Sequence, residues 1–181
     1  AELTRSMTPD RTEEFSTEEE HPEVPGVVMV WQCQNQGPYG DTMLYGMPID
    51  DMVPTVLHPN EMLDGCVVSG NYVWPAFKVP TYLHVNHPVL LELYRRHGKD
   101  INFKGVIVCR SHNPSTWHKQ RCASHVVKLA QMLDAKGLVM VWEGGGNACT
   151  DGMLTIQTDE RHGIRTAGIT FEFGGKDGTE G

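Results

Sequence analysis

Apolar positions are sparse over the first 24 residues, and the first sustained apolar run is Gly26 to Trp31, GVVMVW. A β-branched run with no polar interruption predicts a short strand buried on both faces. Gln32 to Asp41 has loop chemistry, with Pro38 and Gly40 supplying a turn, and Met52 to Leu57 and Gly65 to Ser69 are further strand candidates. A helix is predicted over Pro88 to His97. Pro88 suits a first helical position behind Asn86 or His87, Arg95, Arg96 and His97 form a basic last turn, and Gly98 follows. Val106 to Cys109 reads as a strand, and Asn113 with Pro114 as an N-cap and first helical residue. Cys122, Val126, Leu129, Ala130 and Leu133 then recur at helical spacing up to a stop at Gly137. Leu138 to Trp142 is the next buried strand. After a glycine-rich turn, Asn147 or Thr150 caps a helix through Met153, Leu154 and Ile156 to His162, and Gly163 ends it before a strand from Ile164 to Phe171.

From about Phe103 to Phe173 the pattern is therefore strand, helix, strand, helix, strand. Such alternation implies an α/β fold, a Rossmann-like three-layer sandwich with a mostly parallel sheet and right-handed crossovers. The 181 residues, 39% hydrophobic, suffice for one substantial core. The expected organisation is an acidic arm over residues 1–24, extended or mobile, and a single α/β domain over 25–178. Charge supports the division, because eight acids and two arginines fall within the first 23 residues of a chain whose formal charge is -8. No basic field suited to nucleic acid or a membrane surface remains. No apolar run approaches the roughly 18 residues that span a bilayer, and no leader pattern opens the chain, so a cytoplasmic location is expected. The first residue is alanine, which leaves missing flanks open.

The turn Glu143 to Asn147 lies where a buried strand hands over to a helix, the carboxyl edge at which doubly wound sheets bind ligands. Gly144, Gly145 and Gly146 let the backbone approach a ligand. The N–H groups of Asn147 and the following turn, with Thr150 and Asp151, suit a carboxylate or phosphate. An ordinary tight connection is the competing reading. Nine histidines are many for this length. His58, His84, His87, His112, His118 and His125 are candidate metal ligands, but their spacing matches no metal motif, and His84 and His87, in an apparently extended stretch, point to opposite faces. His97 and His162 suit helix C-termini. The five cysteines lack any CxxC pair, so free thiols are expected: Cys109 and Cys122 as core, Cys33, Cys66 and Cys149 near strand ends, the last two as candidate reactive thiols.

Several stretches can be taken together: Gln34 to Gly37, Leu57 to Glu61, Asp64-Gly65 with Ser69-Gly70-Asn71, Pro80 to His84, Leu93 to Lys99 with Asn102-Phe103, and Glu143 to Asn147 with Thr150-Asp151. In order and spacing, from about Pro25 to Gly178, they resemble the component B proproteins of the glycine, sarcosine and betaine reductases, and more distantly the D-proline reductase proprotein. The resemblance implies reductive C–N cleavage of an amino acid or its N-methyl derivative, in complex with a thiol or selenol subunit. It also implies a pyruvoyl cofactor, made by self-cleavage at a cysteine directly after Ser-Gly-Asn. Here Ser69, Gly70 and Asn71 are followed by Tyr72, and a phenol oxygen cannot reach the preceding carbonyl. No pyruvoyl group, and no other cofactor, is expected.

Three functions follow as expectations. In the first, the chain acts on a small amino-acid-type or carboxylate ligand in a pocket of Ser69, Gly70, Asn71 and Tyr72, His84, and Glu143 to Asp151. Glu143 or His84 is then the general acid or base, and Cys66 or Cys149 a thiol. In the second it is a non-catalytic partner of a pyruvoyl-bearing paralogue or a thiol or selenol protein. In the third the histidines build a metal-dependent lyase or hydrolase.

Overall fold

A computed structural model describes residues 13–34, 42–70 and 79–170. Strand β1, Gly26–Cys33, is buried at all eight positions. It leads to β2 (Thr42–Leu44), β3 (Met47–Pro48), a 3-10 turn at Ile49–Asp51, β4 (Thr55–Leu57), helix α1 (Pro59–Leu63) and β5 (Val67–Ser69). Helices α2 (Thr81–Val85) and α3 (Pro88–Arg96) follow. The chain then runs through β6 (Asn102–Arg110), α4 (Thr116–Met132), β7 (Gly137–Trp142), α5 (Asn147–Arg161) and β8 (Arg165–Ile169). The predicted strand-helix-strand-helix-strand unit is present from β6 to β8.

The main sheet has the order β4-β6-β1-β7-β8. Its last four strands are parallel, and β4 lies antiparallel on β6. A small antiparallel sheet, β3-β2-β5, stands apart from it. Alternation along β1 sends Val27, Met29, Trp31 and Cys33 to one core and Val28 and Val30 to the other. The first core takes Leu90, Leu93 and Tyr94 from α3, and the second takes Cys122, Val126 and Ala130 from α4 and Ala148 from α5. Helices thus cover both faces, which explains why β1 has no polar period. Each fully buried aliphatic side chain there contributes about 1.5–3 kcal/mol.

The helix ends differ from expectation at three places. Helix α4 begins at Thr116, because Ser115 takes the extended N-cap backbone and accepts the His118 N–H, while the N–H of Asn113 donates to Asp151 instead. Its end comes at Leu133, where Asp134 adopts a left-handed φ of 51°; Gly137 opens β7 rather than stopping the helix. Gly146, with φ 59° and ψ -110°, precedes α5, so Asn147 is the first helical residue. Thr150 bonds back to the Gly146 carbonyl, and neither side chain caps the helix. The ends of α3 are as expected: His87 accepts the Val89 N–H, and His97 is the C-cap.

The described part of the arm is docked rather than loose. Glu13 grips Arg95 with two bonds of 2.7 and 2.8 Å, Glu20 pairs with Lys104 and accepts from Asn102, and Phe15 packs on Tyr94 at 5.1 Å. The ion pairs are exposed, so the aromatic contact and the buried Asn102 contribute at least as much to docking. No described helix is long and apolar enough to cross a membrane.

On α5, Asp159 is fully buried, and among the described residues neither carboxyl oxygen has a donor. Burial raises its pKa to about 7 from 3.8. The folded state therefore holds a proton that the unfolded state loses between these values, and stability contributed at low pH disappears as pH rises through 7. Asp159→Asn is expected to raise the unfolding free energy at pH 8 by on the order of 2–3 kcal/mol. It should have little effect at pH 4, measured by urea denaturation across that range.

Candidate functional site at the carboxyl edge of the sheet

Chain order and sheet order together locate a crevice. From β1 the chain moves to β6 on one side, then crosses to β7 and β8 on the other, so the direction reverses between β1 and β7. In parallel sheets ligands bind outside the carboxyl ends at such a reversal. Gln34 follows β1 and Glu143 follows β7, and both are buried.

Glu143 is tied at both oxygens. Oε1 accepts the Gln34 N–H at 3.2 Å, and Oε2 accepts the Val79 N–H at 2.8 Å. A carboxylate only 3% exposed is costly unless its lone pairs are used, and these charge-assisted bonds serve that need. Gly144 comes next with a left-handed φ of 86° that suits glycine, and a Cβ there would in addition displace the end of the Gln34 side chain. Around Gly145 and Gly146 a Cβ would meet nothing within 4 Å among the described residues, which leave the rim of the turn open. Cys149, one turn into α5, accepts from the Trp142 indole at 3.4 Å and donates to the Gly144 carbonyl at 3.6 Å, holding the turn from beneath. With Thr150, Met153, Leu154 and Gln157 it lines an open hollow of about 440 Å³.

A second polar group lies on the β6 side. Asp151 pairs with Lys119 at 2.7 Å, side chains 3% and 10% exposed, and its other oxygen accepts the Asn113 N–H at 3.1 Å. Gln32 donates to Ser111 Oγ and to the Ala148 carbonyl, joining β1 to the start of α5. The expected site residue Asp151 is thus placed in an ion pair that joins α4 to α5.

Ser69 ends β5, and the Thr81 hydroxyl binds both its backbone groups, accepting the N–H at 2.9 Å and donating to the carbonyl at 3.1 Å. Residue 79 is held on Glu143 and Thr81 on Ser69, so the ends that flank positions 71–78 are both fixed. Asn71 and Tyr72 themselves lie outside the described residues, as do Pro38 and Gly40. His84 is on α2 and His87 caps α3; the stretch is helical, not extended, and both rings pack on Trp31, at 5.5 and 4.6 Å. The Trp31 indole donates to His84 Nδ1 at 2.9 Å. Burial, and then His87, push the His84 pKa down to about 3, and burial pushes that of His87 to about 4. Cys66 lies buried before β5 with its thiol on Met62 Sδ at 3.7 Å; burial, then Glu61, push its pKa up to about 11. All five cysteines are free. The structure therefore brings together Glu143, Gly144 to Asn147, Cys149, Thr150 and Asp151, and connects them through residues 79–81 to Ser69. Cys66 and His84 lie in the core beside this group. Among the described residues no three His, Cys, Asp or Glu side chains are grouped as a metal site.

Over residues 1–181 the chain matches the family described as glycine/sarcosine/betaine reductase component B subunits. It belongs to that family. It is 37% identical over 183 aligned positions to the glycine reductase complex component B subunits alpha and beta of Acetoanaerobium sticklandii, covering 98% of this chain and 42% of that protein. From Peptoclostridium acidaminophilum, the sarcosine reductase complex component B subunit alpha is 41% identical over 88% of this chain and 37% of its own length. The betaine reductase complex component B subunit alpha is 40% identical over 96% and 41%. The chain thus spans about two-fifths of the length of these relatives. No solved structure matches it.

Gln34, Thr81 and Lys119 are the residues that sequence reasoning left without a role. Gln34 and Thr81 fall inside motif stretches used for the resemblance, while a lysine in the first turn of a helix carries no signal that it turns inward. Glu143→Gln replaces one acceptor by a donor facing an N–H, and is expected to cost about 2–4 kcal/mol of stability by urea denaturation. The Gln34 and Val79 amides should exchange faster with deuterium while the Val28 amide is unchanged; unchanged exchange at all three would contradict the tie.

Proposed function

We propose that this chain is a component B-type subunit that binds a small amino-acid-type or carboxylate ligand at the carboxyl edge of its sheet and works within a reductase complex. In this reading it forms no pyruvoyl group of its own. The carrying observation is Tyr72. In a member of this family the position after Ser69-Gly70-Asn71 is where self-cleavage needs a hydroxyl or thiol on the β-carbon, and the phenol oxygen sits across an aromatic ring from it. The residue present does not fit the group, and no step is assigned through it. The ligand class rests on the open rim at Gly145 and Gly146 at the start of α5, where backbone N–H groups and the helix dipole favour a carboxylate. The reaction served is reductive C–N or related cleavage, the chemistry that the family resemblance implies, in a complex of the kind named for the glycine, sarcosine and betaine reductase relatives. The partner is a pyruvoyl-bearing paralogue or a thiol or selenol protein, in the cytoplasm. The fold is read as a Rossmann-like three-layer sandwich over 25–178 with residues 1–24 as its arm.

One observation favours the second reading, a binding subunit without chemistry of its own. Glu143, a candidate general base, has both oxygens engaged by backbone N–H groups, and His84 is a buried neutral ring whose Nδ1 is taken by Trp31. Intact mass decides the cofactor question: a single species at the full-length value, unreactive toward a carbonyl-directed hydrazide, is expected. Two fragments with one hydrazide-reactive end would overturn the reading of Tyr72. Co-expression with a pyruvoyl-bearing paralogue should give a stable complex and substrate turnover that this chain alone lacks; turnover by the isolated chain would make it an enzyme in its own right.

A further inference from the structure

Helix α4 contains no acidic residue. Its 17 residues carry His118, Lys119, Arg121, His125 and Lys128 in a chain of formal charge -8. Lys119 turns inward to Asp151. Trp117, Arg121, His125 and Lys128 follow one another at spacings of four, four and three. They form a stripe opposite the face that buries Cys122, Ala123, Val126, Val127 and Ala130.

This stripe is organised. Trp117 is 63% exposed, with the Arg121 guanidinium 5.9 Å from its ring and the His118 ring edge-on at 4.9 Å. Arg121 Nη2 lies 3.2 Å from His125 Nε2. Among the described residues neither Arg121 nor Lys128 forms an ion pair, whereas Arg95, Arg96, Lys104, Arg110 and Lys136 all do. Burial, then the charges of Arg121 and Lys128, hold the His125 imidazole below its ordinary pKa, consistent with an uncompensated positive field along the helix.

Tryptophan and arginine are among the residue types most enriched where binding energy concentrates in interfaces. A large exposed aromatic surface with unpaired positive charge around it is complementary to an occupant that is apolar at its centre and acidic at its rim. We propose that the outer face of α4, centred on Trp117 and Arg121, docks an acidic segment of a partner protein. Nucleic acid fits less well, since two permanent cations face a dense phosphate array while the rest of the chain repels it. A second copy of the chain carries the same excess of negative charge, and the arm's Glu13 and Glu20 are already engaged by Arg95 and Lys104. Trp117 is in the turn of α4 that holds Lys119 on Asp151, which places the docked segment beside the carboxyl edge. The inference stands apart from the reading of Tyr72.

The test is a titration of the full chain with a tryptophan-free, glutamate-rich peptide, followed by tryptophan emission and by calorimetry. Saturable binding that weakens with salt is expected. Arg121→Glu with Lys128→Glu should reduce affinity by about tenfold or more, with unchanged circular dichroism. Trp117→Ala should weaken binding further and remove the emission change. Binding that survives the charge reversal, absence of saturable binding at low salt, or tighter binding of a single-stranded oligodeoxynucleotide would each overturn the proposal. So would self-association, measured by sedimentation, that is abolished by the same charge reversal.

Discussion

The carboxylate of Glu143, shared between the N–H groups of Gln34 and Val79, is the constraint from which the edge of the sheet follows. Removing a carboxylate from water costs several kcal/mol. Each charge-assisted bond returns about 1.5–3 kcal/mol, so both are needed to offset the burial. Their geometry fixes the exit of β1 beside the exit of β7 and brings residue 79 to the same point. Gly144 suits the turn by its left-handed φ of 86°, and a Cβ there would in addition displace the end of the Gln34 side chain. Thr81, two residues beyond Val79, carries the connection on to Ser69. The consequence for chemistry is direct: with both oxygens engaged by backbone N–H groups, Glu143 is better suited to holding the backbone of this edge than to exchanging protons.

The legible part of this architecture is the part with a readable period. β1, β6 and β7 are apolar runs because both faces are covered, and α4 and α5 repeat at helical spacing. The short elements escaped for physical reasons. Helix α1 is one turn long and is capped by His58, whose imidazole accepts the Asn60 N–H while Glu61 returns to the His58 N–H. That is a capping box built on an unusual residue. Helix α2 follows Pro80 with no side-chain cap and too few residues for a period, so His84 and His87 read as extended. Strands of two or three residues, as in β2 and β3, show no alternation. At the site, Glu143 and the glycines stood out because they end a strong strand. Their pairing with Gln34 did not, because it depends on β1 and β7 being neighbours, a fact of topology rather than of local sequence.

Charge is distributed by the same economy of partners. Two of the acids of residues 13–24 are engaged on the body of the chain, Glu13 on Arg95 and Glu20 on Lys104 and Asn102, with Phe15 anchored on Tyr94. The opposite face of the sheet receives no such cover. There Lys119 is neutralised by Asp151, while Arg121 and Lys128 remain unmatched beside Trp117. The acidity of the chain as a whole therefore hides a division between a compensated face and an uncompensated one, visible only once α4 is placed.

The buried titratable groups oppose one another in sign. His84 and His87 are neutral in the fold with pKa values of about 3 and 4, so the unfolded chain takes up protons there as pH falls below 6.5 and stability declines. Asp159, raised to about 7, binds a proton in the fold that the unfolded chain releases above 3.8, and its contribution declines as pH rises. Where the windows overlap, two histidines outweigh one aspartate and stability increases with pH. Above 6.5 the histidine effect fades as the unfolded imidazoles lose their protons, and the aspartate acts in the opposite direction. The contribution of these three groups therefore peaks between the unperturbed histidine value and the raised aspartate value. Trp31 explains why the histidines are kept despite their cost in acid: its buried indole N–H needs an acceptor, and a neutral imidazole at His84 supplies one where an aliphatic side chain cannot.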